Sequence, residues 1–268
     1  MKTGLCSITF RQHDVPRIVE LTRRAGLDAI EWGGDVHVPP GDTTAAETAK
    51  NLTIAAGLEV SSYGSYYQII DAQGGEQDFA PVLESALALG TNTIRIWPGT
   101  KPSDVMPADE RRRLIARLRG DLDRVAGHGI RLALEFHVSS LCDSNAAALA
   151  FLQEVDHPHL YTYWQPIYWL ADVPYRLAGL EALAGRTLNV HVFHWCFHPN
   201  RGTWGQNVEQ FPLSEGEEEW RQYFSVALPS GEHYALLEFV RGNSEDQFLT
   251  DAAVLRRLLG QTSQEAAR

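Results

Sequence analysis

The sequence predicts an α/β protein, a single (β/α)8 TIM barrel over residues 1–268, and three observations predict it. Short runs rich in β-branched and aromatic residues alternate with stretches of helical period along the whole chain, the pattern of βαβ units around a parallel sheet. Eight such runs can be counted, and several helical stretches stop at a glycine. The length of 268 residues lies in the range that one α/β barrel fills.

The predicted strands are residues 3–10, 29–32, 59–63, 93–97, 131–136, 160–164, 188–193 and 234–240. Amphipathic helices are expected between them at 15–25, 44–56, 79–89, 108–126 and 146–155. Gly26, Gly57, Gly90 and Gly127 each follow a helical run and precede a strand, so each is expected to close its helix in the left-handed conformation, which glycine adopts without a Cβ clash. The charged run from Asp109 to Arg113 reads as the solvated face of an outer helix. No Pro/Gly/Ser linker divides the chain, so no domain boundary is placed. Two connections are long for a barrel, 64–78 after the third strand and 195–214 after the seventh, and long barrel loops tend to carry function.

Composition narrows the function. A net charge of −11 argues against a nucleic-acid clamp, which needs clustered Lys and Arg. Cys6, Cys142 and Cys196 are odd in number and unpatterned, which suits a reducing cytosol better than a disulfide framework. Arg11, His13 and Asp14 interrupt the N-terminal segment before any sufficient apolar run, so it is read as a first strand and not as a signal peptide. The uncharged stretch 157–171 is broken by Pro158 and Pro166 and is too short to span a bilayer. A cytoplasmic protein with a small-molecule ligand, no nucleic-acid or membrane partner and a possible homo-oligomeric state is the expectation.

Polar residues inside the strands are the informative ones. A strand of a parallel barrel is buried on both faces, so an ionisable residue within it must be paired, bonded to metal or placed at the open end. Glu135 ends one apolar run and Glu238 another, and barrel chemistry gathers at the C-terminal strand ends, so both should face one cavity. His191 alternates with apolar neighbours in the seventh strand, whereas His194, three residues on, should point away from it. Gln165 occupies the tip of the sixth strand and Glu31 that of the second, where an Arg-paired structural acid and a substrate contact are both open readings. Two buried carboxylates in one cavity need a cation or a shared proton. Oxygen ligands with one imidazole suit Mn²⁺, Mg²⁺, Co²⁺ or Zn²⁺.

At these residues the chain resembles the xylose isomerase-like TIM-barrel family of sugar and sugar phosphate isomerases and epimerases. Leu134-Glu135-Phe136-His137 matches its fifth-strand Glu and following His, His191 its seventh-strand His, and Glu238 its eighth-strand Glu. The stretch from Pro212 to Trp220 is similar to the family's segment between the last two strands. The resemblance implies a divalent metal held by Glu135, Gln165, His191 and Glu238, with Gln165 standing where the family usually has Asp. It also departs from the family at His194, where an Asp is usual.

The function this resemblance implies is that of a sugar isomerase or epimerase in which Glu135 and Glu238 exchange acid and base roles through an enediolate. His137, His194, Arg201, Trp97, Glu31 and Arg241 are its candidate substrate contacts, and Arg95 a further candidate for an anionic group. Trp32, Tyr63 and Trp164 share with Trp97 a place near strand tips that would suit stacking on a sugar face. A dehydratase of a keto-sugar or inosose would use the same base and metal, and a sugar-binding protein without turnover would keep the pocket. An abasic-site endonuclease would need more metal-binding histidines and a basic face.

Overall fold

The strands close into a barrel because nearly every one is apolar on both sides. The computed structural model describes residues 1–169, 172–202 and 207–261. Its barrel strands are β1 (Lys2–Cys6), β2 (Ala29–Gly33), β3 (Glu59–Gly64), β4 (Thr93–Ile96), β5 (Arg131–Glu135), β6 (Leu160–Trp164), β7 (Thr187–Val192) and β10 (Tyr234–Leu237). They pair in parallel in the order β1-β10-β7-β6-β5-β4-β3-β2, with β1 joined to β2 to complete the circle. Helices α1 (Val15–Arg24), α2 (Thr43–Ala55), α3 (Ala80–Leu89), α4 (Ala108–Ala126), α5 (Asn145–Val155), α6 (Val173–Leu183), α7 (Glu217–Phe224) and α8 (Glu245–Leu258) follow the strands. The expected fold class is the observed one.

Local chemistry starts and stops these elements. Asp14, Asp42, Ser144, Asp172 and Ser244 each accept a hydrogen bond from a backbone N–H in the first turn of the adjoining helix. Each cap is worth about 1 kcal/mol. Gly26, Gly57 and Gly90 take the expected positive φ of 66°, 76° and 71°. Gly127 does not. It sits at φ −61°, and the left-handed turn falls on Gly129 at φ 68°, because α4 runs on through one more tight turn before β5. The first strand stops at Cys6 and tightens into a 3-10 turn over Ser7–Phe10, and the last stops at Leu237, leaving Glu238 just past its end.

The core lies in two places. Outward strand residues such as Leu5, Ile30, Ile94, Leu134, Trp164 and Val192 pack in one cluster with the inner faces of the helices. Inside the barrel a smaller set, including Ala29, Ala133, Tyr163 and Leu236, fills the lower layer. Trp32, Tyr63 and Trp164 are fully buried and line no part of the main cavity, so the stacking role open to them falls to core packing. The long segment 195–214 carries an antiparallel hairpin, β8 (His194–Phe197) with β9 (Val208–Phe211), that forms part of the cavity wall. Among the described residues, no helix is long and apolar enough to cross a membrane.

Candidate active site

Over the apolar layer, period-two alternation turns a ring of polar side chains into the barrel. Register sets who meets whom: Glu31 lies opposite Cys6 on β1 and Ser62 on β3, and Arg95 opposite Gly64 on β3 and Ala133 on β5. Glu31 is fully buried, and its Oε1 accepts from Arg95 Nε at 2.9 Å and from the Cys6 thiol at 3.2 Å, while Oε2 accepts from Ser62 Oγ at 2.9 Å. The same guanidinium reaches Glu135, donating from Nη1 to Oε2, which also accepts from Trp97 Nε1 at 2.5 Å. A Cβ at residue 64 would sit 2.6 Å from Arg95 Nη2 and 2.9 Å from Glu31 Oε1, so only glycine leaves room for this cluster.

Beside the cluster, His191 is fully buried. Its Nδ1 lies 3.2 Å from Gln165 Oε1, 3.2 Å from Glu238 Oε2 and 4.0 Å from Glu135 Oε1. Gln165 Nε2 donates to the Phe136 carbonyl at 2.7 Å, which assigns the amide and turns its oxygen toward the imidazole. The four residues expected to form the metal set are therefore brought together, and facing ligand atoms of Glu135, His191 and Glu238 all fall within 4.8 Å of one another.

Electrostatics support a cation there. Burial opposes ionisation of both Glu31 and Glu135, but it is outweighed by Arg95, with His191 helping, and their carboxyls are held below the ordinary value. Burial likewise opposes charge on His191, yet Glu238 and Glu31 overcome it and push the imidazole well above its ordinary range. Three carboxylates thus share a water-poor space, Glu31 and Glu135 against the Arg95 guanidinium and Glu238 against His191. A divalent ion would cancel the remaining charge, and three oxygens with one nitrogen make a donor set that suits a hard or borderline ion. The residues fit the group.

Arg95, Glu135, Gln165 and Glu238 floor a cavity of about 650 Å³. Its walls include Tyr66, Trp169, Phe193, Trp195 and Phe239, and sequence reasoning singled out none of them as ligand contacts. The signal for them lay in loops whose position only the fold sets. His137 lies in the cavity with its ring stacked on Trp97, centroids 4.4 Å apart, and its Nδ1 donates to the Val138 carbonyl at 2.7 Å. That bond places the lone pair of the neutral ring on Nε2. Three arginines line the cavity. Arg95 is committed to two glutamates, and Arg11 is paired with Asp35 and donates to Tyr66 Oη at 2.7 Å. Arg241, exposed at the rim after β10, has no carboxylate partner among the described residues.

Three expected contacts lie elsewhere. Glu31 is sealed beneath the cavity because Arg95 covers it, so the structural-acid reading describes its place. His194 turns to the far side of β8, beside Tyr168 in a separate cavity, with its ring against Gly216. Arg201, exposed in the hairpin connection, pairs with Glu209. Trp97 and Arg241 line the cavity.

A 3-dehydroshikimate dehydratase from Bacillus anthracis is 25% identical over 273 residues, 95% of this chain and 96% of that protein. The crystal structure of a probable 3-DHS dehydratase of petrobactin synthesis from the same organism superposes with a TM-score of 0.75 at 24% identity, covering 95% and 98% of the two chains. The E. coli 3-keto-D-glucoside 4-epimerase superposes with a TM-score of 0.68 at 17% identity, covering 97% and 99%. The sequence profile described as "Xylose isomerase-like TIM barrel" matches residues 19–258, most of the barrel and the strand ends that carry the site, and the chain belongs to that family.

Proposed function

We propose that this chain is a metal-assisted lyase that removes water from a small cyclic hydroxyketone bearing a carboxylate, 3-dehydroshikimate being the candidate substrate. The observation that carries the proposal is the engagement of Glu135 by Arg95 and Trp97. A carboxylate so held, below its ordinary pKa, is a poor proton carrier, which counts against the two-glutamate exchange that an isomerase reading requires. Proton transfer then falls to His137, one base on one face, which is what an elimination needs. Similarity to the Bacillus anthracis dehydratase over 95% of the chain supports the same choice.

Glu135, Gln165, His191 and Glu238 would hold the divalent ion. When bound, the ion would supply Lewis-acid stabilisation of the negative charge that gathers on the substrate's ketone oxygen. Nε2 of His137 accepts the proton from the carbon beside the ketone, and the electron pair left on that carbon shifts toward the oxygen. Its return forms the carbon–carbon double bond as the β-hydroxyl departs, and His137 gives its proton to that hydroxyl, so that water leaves and the base is restored. Stacking on Trp97 holds the imidazole edge in place. Arg241 at the rim suits the substrate carboxylate, and the aromatic wall suits a flat ring.

The test is incubation of Mn²⁺-loaded protein with 3-dehydroshikimate, following the aromatic absorbance that appears when loss of water leaves a dienone and the dienone tautomerises, beside a ketose panel in deuterated water. Growth of the aromatic band supports the lyase. Deuterium entering a ketose carbon, with no aromatic product from the first substrate, would overturn it in favour of an epimerase, the activity named for the E. coli structural neighbour.

A further inference from the structure

Glu31 takes no part in the proposed dehydration, yet both of its carboxylate oxygens are bonded inside the barrel. Its Oε1 receives Arg95 Nε at 2.9 Å and the Cys6 thiol at 3.2 Å, and it lies 3.4 Å from Nε2 of His191. Cys6, Glu31 and His191 also fall within 4.8 Å of one another, but they are no second metal site. The Arg95 guanidinium already occupies that oxygen, and burial, reinforced by Glu31, keeps the Cys6 thiol protonated as a donor. The groups that face the shared oxygen are N–H and S–H donors.

The two nitrogens of His191 thus look into different environments. Nδ1 faces the oxygens of Gln165, Glu238 and Glu135, while the buried Nε2 faces Glu31. A neutral imidazole that offers Nδ1 to a metal must carry its proton on Nε2, and a carboxylate at that edge both fixes this tautomer and raises the basicity of the ligating nitrogen. Arg95 carries the same anchor to a second ligand. With Nε on Glu31 and Nη1 on Glu135 Oε2, it ties one oxygen of Glu135 and leaves Oε1 toward His191.

We propose that Glu31 is a positioning residue for the metal centre, orienting His191 directly through Nε2 and Glu135 indirectly through Arg95. The role rests on the reading that Glu135, Gln165, His191 and Glu238 hold a divalent ion. Glu31 itself lines no part of the cavity. Ser62, which bonds Glu31 through Oε2 and lies against Ser61 Oγ, supplies the comparison, since its loss disturbs the buried cluster without removing the oxygen that serves the two ligands.

The test uses Zn²⁺, which is diamagnetic, and the full chain. In Zn²⁺-loaded protein labelled with ¹⁵N-histidine, long-range ¹H–¹⁵N correlations should show the His191 proton on Nε2. Competition with a chromogenic chelator should find Zn²⁺ about 10- to 100-fold weaker in Glu31→Gln, the usual cost of losing such a partner, and unchanged in Ser62→Ala. A proton on Nδ1, wild-type affinity in Glu31→Gln, or an equal loss in Ser62→Ala would each overturn the positioning role. Should Glu31→Gln fail to fold, the wild-type ring protonation decides. Wild-type protein that takes up no Zn²⁺ would remove the metal centre and this role together, whereas normal uptake with an indifferent Glu31→Gln would remove this role alone.

Discussion

His137 and Arg241 carry the proposed reaction at the level of single side chains. His137→Asn keeps a side chain able to bond the Val138 carbonyl but removes the base, so kcat should fall by about 10²- to 10⁴-fold with KM little changed. Steady-state rates of dehydration check this, and an unaltered kcat would move the base elsewhere. Arg241→Ala should act the other way, raising KM about 10- to 100-fold by the loss of a charge-assisted hydrogen bond while kcat holds. A methyl ester of the substrate should bind the wild-type and Arg241→Ala proteins equally if the contact is to the carboxylate. Of the site residues, Glu135, His191 and Glu238 were legible because a polar side chain ending an apolar strand demands a reason. Arg95 sends the same signal from within Thr93–Ile96. Its two glutamate partners could not be read in advance, since register between β4, β3 and β5 decides them.

Strands and loops divide the work differently. The eight barrel strands were recognisable as short runs alternating with stretches of helical period, because burial on both faces forces β-branched and aromatic residues into them. Segment 195–214, expected as a long loop, instead holds the β8–β9 pair, whose Val208, Glu209 and Gln210 reach the cavity. Its alternation is weak since both faces are half exposed, which hides it from periodicity. On β3 the decisive residue is the smallest. Gly64→Ala would drive a methyl into Arg95 and Glu31, and overpacking of this kind costs about 1–3 kcal/mol. A lowered denaturation midpoint together with weakened metal uptake is expected. Wild-type values of both would show that the cluster yields more easily than its spacing implies.

For the whole molecule, the buried charge cluster should make stability depend on pH and on metal. Glu31 and Glu135 are held below the ordinary 4.5, so their contribution is complete above that value and is lost as pH falls through their folded-state pKa. His191 runs in the opposite sense. Raised above 6.5, it contributes fully below that pH, and the contribution is lost as pH rises through its folded-state pKa. Metal-free protein should therefore lose thermal stability on the alkaline side of neutrality. A bound divalent ion requires Nδ1 without its proton, so the stabilisation it adds should grow over the same rise. Melting curves from about pH 5 to about pH 9, in EDTA and in Mn²⁺, check this. Parallel curves would mean that the ion and His191 do not meet.

From its residues alone this protein declared a parallel barrel and acids at strand ends, because burial and chain geometry act on each segment locally. Tertiary structure decided which of those groups are tied to one another. Arg95 reaches Glu135 and Glu31 from a different strand, and closure of the barrel brings Arg241 and His137 to one cavity. Neighbours so far apart in the chain are chosen by strand order and register, which no single segment contains.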